Sequence, residues 1–209
     1  PDNNYLIKTN GVSLTIINSS SVQRTHTIEI YDGTSTYTKQ FTGGIIANKF
    51  NHAIAVTGPN ASTRGSCTIS NCKIVGCSTS GSGAAINIFT YGGKVSINNV
   101  EICYNYATGN GAAIYGIGAT ITNSKLQFNK ADDNGGAISI PARAANHSTE
   151  ANSITGSTIS YNYTPKNGGG IYSKDAITIT NSVIEYNYAM ATATGATTDT
   201  GRGGGFYFS

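Results

Sequence analysis

Charged residues are scarce in this chain. Only 11% of the 209 residues are Asp, Glu, Lys or Arg, and the net charge is +3. The basic residues form no run that could follow a phosphate backbone, so we expect no nucleic-acid partner. Trp is absent, and apolar runs are only a few residues long, far short of the ~20 that a membrane-crossing helix needs. We therefore expect no membrane-spanning segment in this chain.

What the chain does contain is Gly, at 26 residues, with Asn, Ser, Thr and Ile recurring throughout. Gly and Asn supply the backbone angles that tight turns need, and β-branched residues pack well on pleated surfaces. Because the apolar residues recur at regular positions, the composition favours stacked β-turns over helices and over disorder.

An internal repeat is the main signal in the sequence. Five segments align without gaps and carry a central Ile at steps of 28, 24, 33 and 25 residues: TISNCKIVGC (68–77), SINNVEICYN (96–105), TITNSKLQFN (120–129), SITGSTISYN (153–162) and TITNSVIEYN (178–187). A second motif lies between them: GAAINI (83–88), GAAIYG (111–116), GGAISI (135–140), GGGIYS (168–173) and GGGFYF (203–208). Such a repeat predicts a solenoid in which each coil buries its inner face against the next.

Within each copy, apolar residues alternate with Thr or Ser, which is typical of a strand with one buried face. An Asn two residues after the Ile predicts a corner, and an apolar residue, an aromatic and a second Asn follow. We therefore predict an all-β, right-handed parallel β-helix of about seven coils, each of roughly 24–33 residues. Stacking should produce an Ile ladder, an aromatic stack and two Asn ladders.

The repeat covers residues 66–209, and residues 1–65 repeat less clearly. We interpret 1–209 as one β-helix domain in which 1–65 form irregular first coils or a cap over an open edge. The longer stretches 141–152 and 189–202 should bulge outward. The pattern breaks off inside a repeat, from which we expect the chain to be part of a longer protein.

The paired motifs resemble those of the chlamydial polymorphic outer-membrane proteins and the broader adhesin-like β-helix proteins, which repeat GGA(I/L/V) and FxxN. GGAI stands at 135–138, with GAAI at 83–86 and 111–114 and GGGI at 168–171. The second motif runs from Ile102, Leu126, Ile159 and Ile184 to the Asn three residues later, so Ile or Leu replaces Phe. The resemblance covers about residues 67–208. It implies an extracellular or cell-surface passenger domain that acts in adhesion, with no catalytic residue to carry over.

No assembled catalytic or metal site is visible in the sequence. The chain has ten acids; the pair Asp132-Asp133 stands in a turn, and Glu101 and Glu185 belong to distant coils. Carbohydrate hydrolysis needs two carboxylates a few ångströms apart. His26, His52 and His147 occur in unrelated contexts, and we expect each at the surface. We therefore expect no enzyme activity, no catalytic residue, no metal and no cofactor.

Four cysteines, Cys67, Cys72, Cys77 and Cys103, fall in two adjacent coils and match no zinc spacing. Cys67 holds an inward position, where Cys acts as a small apolar residue. A disulfide in an oxidising compartment and buried thiols both remain open. Four glycosylation sequons begin at Asn18, Asn60, Asn146 and Asn162. We expect Asn162 to belong to an internal ladder.

Two surfaces could bind a partner. The first is an outward Thr/Ser face, formed by Thr68, Ser70, Ser96, Asn98, Thr120, Thr122, Ser153, Thr155, Thr178 and Thr180. It resembles the flat threonine array of β-helical ice-binding proteins, although Ser and Thr are also ordinary on the wet face of a strand. The second is the set of tyrosines one residue beyond the ladder Asn: Tyr106, Tyr163 and Tyr188. Exposed tyrosine rings suit sugars or protein partners.

The favoured interpretation is a non-enzymatic structural or adhesive segment, extracellular or at the cell surface, that presents binding surfaces on a rigid rod. Its partner would be a cell-surface protein or glycan receptor, or copies of itself in an end-to-end filament. Two alternatives remain: an ice-binding protein that uses the Thr/Ser face, and a polysaccharide lyase or hydrolase.

Overall fold

The computed structural model describes residues 6–18, 24–47, 51–190 and 201–209, and this part of the chain contains strands and turns and no helix. Within these ranges the strands are short, and 24 of the 26 belong to successive coils.

The first coil and the ribbon inserted in it contain β1 (Ile7–Lys8), β2 (Ser13–Ile17), β3 (Thr25–Tyr31), β4 (Thr36–Thr42) and β5 (Ile45–Ile46). The second contains β6 (Ile54–Val56), β7 (Gly65–Ser70), β8 (Lys73–Val75) and β9 (Ser78–Thr79). The third contains β10 (Ile86–Ile88), β11 (Gly92–Asn98), β12 (Glu101–Cys103) and β13 (Tyr106–Ala107).

The fourth coil contains β14 (Ile114–Tyr115), β15 (Ala119–Thr122), β16 (Lys125–Gln127) and β17 (Lys130–Ala131). The fifth contains β18 (Ile138–Ile140), β19 (Asn152–Thr155), β20 (Thr158–Ser160) and β21 (Tyr163–Thr164). The sixth contains β22 (Ile171–Ser173), β23 (Ile177–Thr180), β24 (Val183–Glu185) and β25 (Tyr188–Ala189), and β26 (Phe206–Phe208) opens the seventh.

These strands stack into four parallel sheets, which confirms the predicted parallel β-helix. Sheet 1 is β1-β6-β10-β14-β18-β22-β26, and sheet 2 is β2-β7-β11-β15-β19-β23. Sheet 3 is β5-β8-β12-β16-β20-β24, and sheet 4 is β9-β13-β17-β21-β25. Every strand of these four sheets pairs with its equivalent one coil away, so the repeat in the sequence sets the register directly.

The core is a set of aliphatic ladders inside the coils. In sheet 2 the predicted ladder runs in register through Ile69, Ile97, Ile121, Ile154 and Ile179, with Ile16 in front of it. Ile69, Ile97, Ile121 and Ile154 are at most 1% exposed. Burial of an Ile side chain contributes about 1.5–3 kcal/mol to stability, so each coil depends on the coil stacked against it.

The second Asn of the repeat forms a buried ladder, as predicted. The Nδ2 of Asn105 donates to Oδ1 of Asn129 at 2.9 Å, and Asn162 donates in the same way to Asn187 at 2.8 Å. Asn162 is fully buried, which confirms its place in an internal ladder.

The first Asn of the repeat does not form the second continuous ladder that we expected. Asn71, Asn99 and Asn123 adopt the predicted left-handed backbone, with φ of 57°, 53° and 48°, but their side chains are exposed. Asn99 bonds to Asn71 at 2.9 Å, whereas Gly156 provides no amide in the fifth coil. These side chains point away from the core, and the row is interrupted at Gly156, so no continuous ladder forms.

Two further ladders, one buried and one partly buried, were not anticipated. At the corner between sheets 2 and 3, the main-chain N–H of Val100, Ser124 and Ser157 donate to the hydroxyls of Ser124, Ser157 and Ser182, each at 3.1 Å. Before the glycine motif, Asn134 N–H donates to Oδ1 of Asn110 at 3.1 Å, and Asn167 N–H to Oδ1 of Asn134 at 3.2 Å. Together with the inner Asn ladder, these rows supply side-chain acceptors at three corners of the coil.

An antiparallel ribbon, β3 paired with β4, is inserted between β2 and β5 and lies outside the coils. It includes the alternating run 27–31, which lies in the stretch 1–65 that we interpreted as irregular first coils or a cap. The turn is local: Oδ1 of Asp32 accepts from the N–H of Thr34 and Ser35, and Gly33 has a φ of +91°. On its inner side, Ile30 and Phe41 cover Val75 and Cys103 on the outside of sheet 3.

The histidines are not all at the surface. His26 is exposed on the ribbon and His147 is partly buried, but His52 is 8% exposed, so the expectation of a surface position is wrong for it. Its Nδ1 lies 2.9 Å from the main-chain oxygen of Gly83, and its ring meets Phe89 edge-on. The corner of the next coil covers this ring.

The stretch 141–152 leaves the coil between β18 and β19, and residues 142–146 are exposed, as expected for an outward bulge. Arg64 anchors it by donating to the main-chain oxygens of Asn146 and His147, both at 2.8 Å. Most of the second bulge, 189–202, lies outside the described residues. Across the described part of the chain, no helix has the length and apolarity to cross a membrane.

Candidate binding surfaces

The Thr/Ser face lies on the outside of sheet 2 as two rows in register. One row is Thr68, Ser96, Thr120, Ser153 and Thr178, and the other is Ser70, Asn98, Thr122, Thr155 and Thr180. Every one of these side chains is exposed or partly exposed. Thr15 and Ile17 of β2 extend the two rows, a continuation that the sequence repeat did not reveal.

Regular backbone register does not make this face chemically uniform. Ile17, Ser70 and Asn98 interrupt one row, and Ser alternates with Thr in the other. The hydroxyl of Thr122 donates to the main-chain oxygen of Ile97 at 3.1 Å, so it is directed toward the sheet. These features are those of an ordinary solvated strand face.

The tyrosines proposed for partner contact share one row on sheet 4, with Lys130 between Tyr106 and Tyr163 and with Tyr188 at the end. Tyr163 is partly exposed and Tyr188 is 50% exposed. Lys130 Nζ lies 5.7 Å from the centre of the Tyr106 ring and 6.0 Å from that of Tyr163. The ammonium thus occupies the space between these two rings.

Tyr106 is not available to a partner, and the expectation of an exposed ring is wrong for it. It is 7% exposed, because the ribbon covers it and Tyr31 meets it edge-on at 5.4 Å. Its hydroxyl donates to Oδ2 of Asp132. Burial, then the hydrogen bond and charge of Asp132, raise the pKa of Tyr106 well above its ordinary value.

A second aromatic row stands one residue before the ladder Asn. Tyr104, Phe128, Tyr161 and Tyr186 stack with centroids 4.9, 5.1 and 5.1 Å apart and ring planes within 11° of parallel. Their backbones are left-handed, with φ of 50–57°. Phe128, Tyr161 and Tyr186 are 41%, 43% and 57% exposed. Because neighbouring rings cover each other's faces, this stack presents mainly ring edges to solvent.

Four acids of the coils make structural contacts, whereas Glu185 is exposed on sheet 3. Asp132 accepts from Tyr106, and Oδ1 of Asp133 accepts from the N–H and the Nδ2 of Asn134 at 2.9 and 2.7 Å. Glu101 pairs with Lys73, and Asp175 pairs with Arg143 at 2.6 Å. Among the described residues, no three His, Cys, Asp or Glu side chains come together as a metal site.

All four cysteines are thiols and are buried. Cys67, Cys72 and Cys77 lie in the core, whereas Cys103 lies outside the coil under the ribbon. Burial raises the pKa of Cys67 and of Cys72 to about 11. Burial, together with the neighbouring charge of Glu101, also raises the pKa of Cys103. The thiols of Cys67, Cys72 and Cys103 are therefore protonated and poorly nucleophilic near neutral pH.

Residues 156–174 match the Chlamydia polymorphic membrane protein (Chlamydia_PMP) repeat. The matched stretch begins at the Gly156 corner, contains β20 and β21, and ends just after β22. Both motifs that carry the resemblance lie within it, the IxxN at 159–162 and the GGGI at 168–171. The resemblance is thus confirmed for this coil. Comparison with curated proteins and with solved structures gave no match.

Proposed function

We propose that this β-helix is a non-catalytic segment of an extracellular or cell-surface protein and that it holds adhesive surfaces on a rigid rod. The observation that carries the proposal is the repeat match at 156–174, which falls inside an unbroken stack of coils. A polymorphic membrane protein repeat is expected on a membrane-associated surface protein, and a solenoid is a natural spacer because each coil is fixed by its two neighbours.

Rigidity is supported by the corner ladders. Asn129, for example, bonds to the coils on both sides through its amide. A buried polar network in which every member has a partner makes one arrangement more stable than the alternatives. Such a scaffold would keep outward residues at fixed spacing over six coils.

The non-catalytic part of the proposal is supported by the contacts of the acids. Asp132, Glu101 and Asp175 are each paired with a tyrosine, a lysine or an arginine of the scaffold. Carboxylates held in this way stabilise the coil surface. The exposed part of the tyrosine row, Tyr163 and Tyr188, offers the amphipathic side chains that partner surfaces favour.

The test is saturable attachment to cells. Fluorescently labelled protein should bind cultured epithelial cells, and excess unlabelled protein should displace it. Pretreatment of the cells with protease or with periodate then assigns the receptor to protein or glycan. The double variant Tyr163→Ala/Tyr188→Ala should bind less, whereas the matched pair Thr155→Ala/Thr180→Ala on sheet 2 should bind as the wild type does.

Absence of saturable binding on every cell type would overturn the adhesive role. Electron microscopy of the same preparation distinguishes the adhesive role from a purely structural one. End-to-end filaments that attach to no cell would mean that the segment acts in self-assembly. Single rods that attach to cells would support the proposal.

A further inference from the structure

A row on the outside of sheet 1 has a gap in its aromatic side chains. The row runs in register through Asn87, Tyr115, Ser139, Tyr172 and Tyr207. Tyr172 and Tyr207 stack at 5.7 Å with planes 8° apart. Ser139 stands between Tyr115 and Tyr172, where a third ring would continue the row.

The gap has the width of one ring. Neighbouring coils are about 4.8 Å apart, so Tyr115 and Tyr172 lie two coils, or about 9.6 Å, from each other. Rings in contact have centroids 4.5–7 Å apart, so one ring fits between two that are separated by this distance. In the equivalent gap on sheet 4, Lys130 reaches the rings of both Tyr106 and Tyr163, whereas serine is too short to do so.

A cavity of about 450 Å³ lies over this position. We call it the Ser139 slot; Tyr115 and Tyr172 are its walls, Ser139 is its floor, and Asn110, Asp133 and Lys174 are at its rim. The volume is within the range of small-ligand sites in proteins.

The floor of the slot is polar. Ser139 is 2% exposed and lines the cavity. Among the described residues no buried side-chain oxygen or nitrogen lacks a hydrogen-bond partner, so we assign no unmet hydrogen bond to the Ser139 hydroxyl. As both donor and acceptor, this hydroxyl can exchange hydrogen bonds with a group that enters the cavity.

The rim supplies both donors and acceptors. Asn134 holds the carboxylate of Asp133 in place through two hydrogen bonds to Oδ1. Lys174 also lines the cavity, and its Nζ lies 5.9 Å from the centre of the Tyr172 ring. Asp133 also acts on Tyr115: burial and then this negative charge raise the pKa of the tyrosine. A ligand with hydroxyls around its edge can donate to Asp133 and accept from Lys174.

We infer that the Ser139 slot binds a single neutral hexopyranose unit of a glycan. A pyranose has two faces of C–H groups that pack on aromatic rings and a rim of hydroxyls that donate and accept. The opposite charges of Asp133 and Lys174 balance, which favours a neutral sugar over an acidic one. This inference deepens the adhesive function proposed above by naming a glycan as the receptor chemistry.

The direct test is a titration of the 209-residue chain with methyl glycosides of glucose, galactose, mannose and N-acetylglucosamine, followed by saturation-transfer NMR. At least one should bind saturably, in the millimolar range usual for a contact of this size. Ser139→Tyr would fill the slot with a ring of the protein itself and should weaken binding by about tenfold or more. Thr158→Tyr adds the same ring to an outward position of sheet 3 and should bind as the wild type does.

Asp133→Asn is a second variant. It keeps an Oδ1 that can accept from Asn134 and removes the negative charge at the rim, so several-fold weaker binding of the glycoside is expected. Circular dichroism and thermal melting establish that each variant is folded. Saturation by none of the four glycosides, or equal binding by Ser139→Tyr, would overturn the inference. So would binding of N-acetyltyrosinamide to the slot without binding of any sugar, because the occupant would then be a peptide side chain.

The adhesive role and the sugar site can be refuted independently of each other. If Ser139→Tyr attaches to cells as strongly as the wild type, the slot is not the receptor site, but the adhesive role stands. If the wild type attaches to no cell, the adhesive role fails, and the glycoside titration still decides whether the slot binds a sugar.

Discussion

Asn129 and Asn162 are joined by two hydrogen bonds across neighbouring coils. The main-chain N–H and the Nδ2 of Asn129 both donate to Oδ1 of Asn162, each at 2.9 Å. The same Nδ2 also lies 3.0 Å from the main-chain oxygen of Ile102. It also donates to the main-chain oxygen of Gln127 at 3.1 Å, so one buried amide bonds main-chain groups of its own coil and of the preceding coil.

Replacing the side-chain amide of Asn129 should destabilise the fold. Asn129→Leu leaves the Nδ2 of Asn105 and the main-chain oxygen of Ile102 without their partner in a dry interior. We expect the free energy of unfolding to fall by about 3 kcal/mol, measured by urea denaturation. Asn123→Gly is the matched control on the outer row, where glycine accepts the left-handed φ, and it should change stability by about 0.5 kcal/mol or less. Equal losses in the two variants would contradict a structural role specific to the inner ladder.

The ribbon should protect one cysteine and not the others. Ile30→Ala combined with Phe41→Ala removes the apolar cover from Cys103, so iodoacetamide should label Cys103 faster, whereas Cys67 in the core should stay protected. Labelling is measured peptide by peptide with mass spectrometry. Tyr37→Ala, at a position exposed on the ribbon, serves as the control and should leave the rate unchanged. Unaltered labelling of Cys103 in the double variant would mean that the ribbon does not shield it.

Stability should fall in mild acid because of His52. Burial lowers its pKa below the ordinary 6.5, so the unfolded chain binds more protons than the folded one around and below that pH. The free energy of unfolding should therefore decrease as the pH falls through 6.5 toward 5. His52→Gln should reduce this dependence, and His26→Gln on the exposed ribbon should keep it. The prediction is tested by thermal melting across this pH range, and a slope unaffected by His52→Gln would refute it.

The Thr/Ser face should not bind ice. Its rows mix Thr with Ser, Asn98 and Ile17, and the hydroxyl of Thr122 is bonded to the sheet, so a regular hydroxyl lattice is not presented. We expect no thermal hysteresis at millimolar protein concentration by nanolitre osmometry. Hysteresis that disappears in Thr120→Lys would restore the ice-binding interpretation.

Much of the fold could be predicted from the sequence because each coil repeats the same side-chain requirements. The alignment of Ile69 with Ile97 and Ile121 is the register of sheet 2, and the second Asn of each copy is the inner ladder. The ribbon at 25–42 was harder to place, since an alternating run such as 27–31 fits both a coil strand and a hairpin. Pairing between β3 and β4 decides between them, and no repeat in the sequence encodes it.

The surfaces were less predictable than the core. Tyr106, Tyr163 and Tyr188 occupy equivalent positions in the repeat, yet only Tyr106 is covered, because the ribbon reaches its coil. The Ser139 slot exists because a serine, and not a tyrosine, lies between Tyr115 and Tyr172 in their row. A repeat alignment that compared the residue after the Ile of each glycine motif could have shown Tyr115, Ser139 and Tyr172 at equivalent positions.

The pairing of each strand with its equivalent in the next coil has a consequence for how the chain folds. Each regular strand meets its partner after one coil of 24–33 residues, so every coil requires a loop of similar length to close before its contacts form. A folded coil then serves as the template for the next one, and growth can spread from any point where a first pair has formed. The β3–β4 ribbon is closed by a tight turn and should form earlier than any coil. It should therefore already be folded when the coil that contains Cys103 and Tyr104 packs against it.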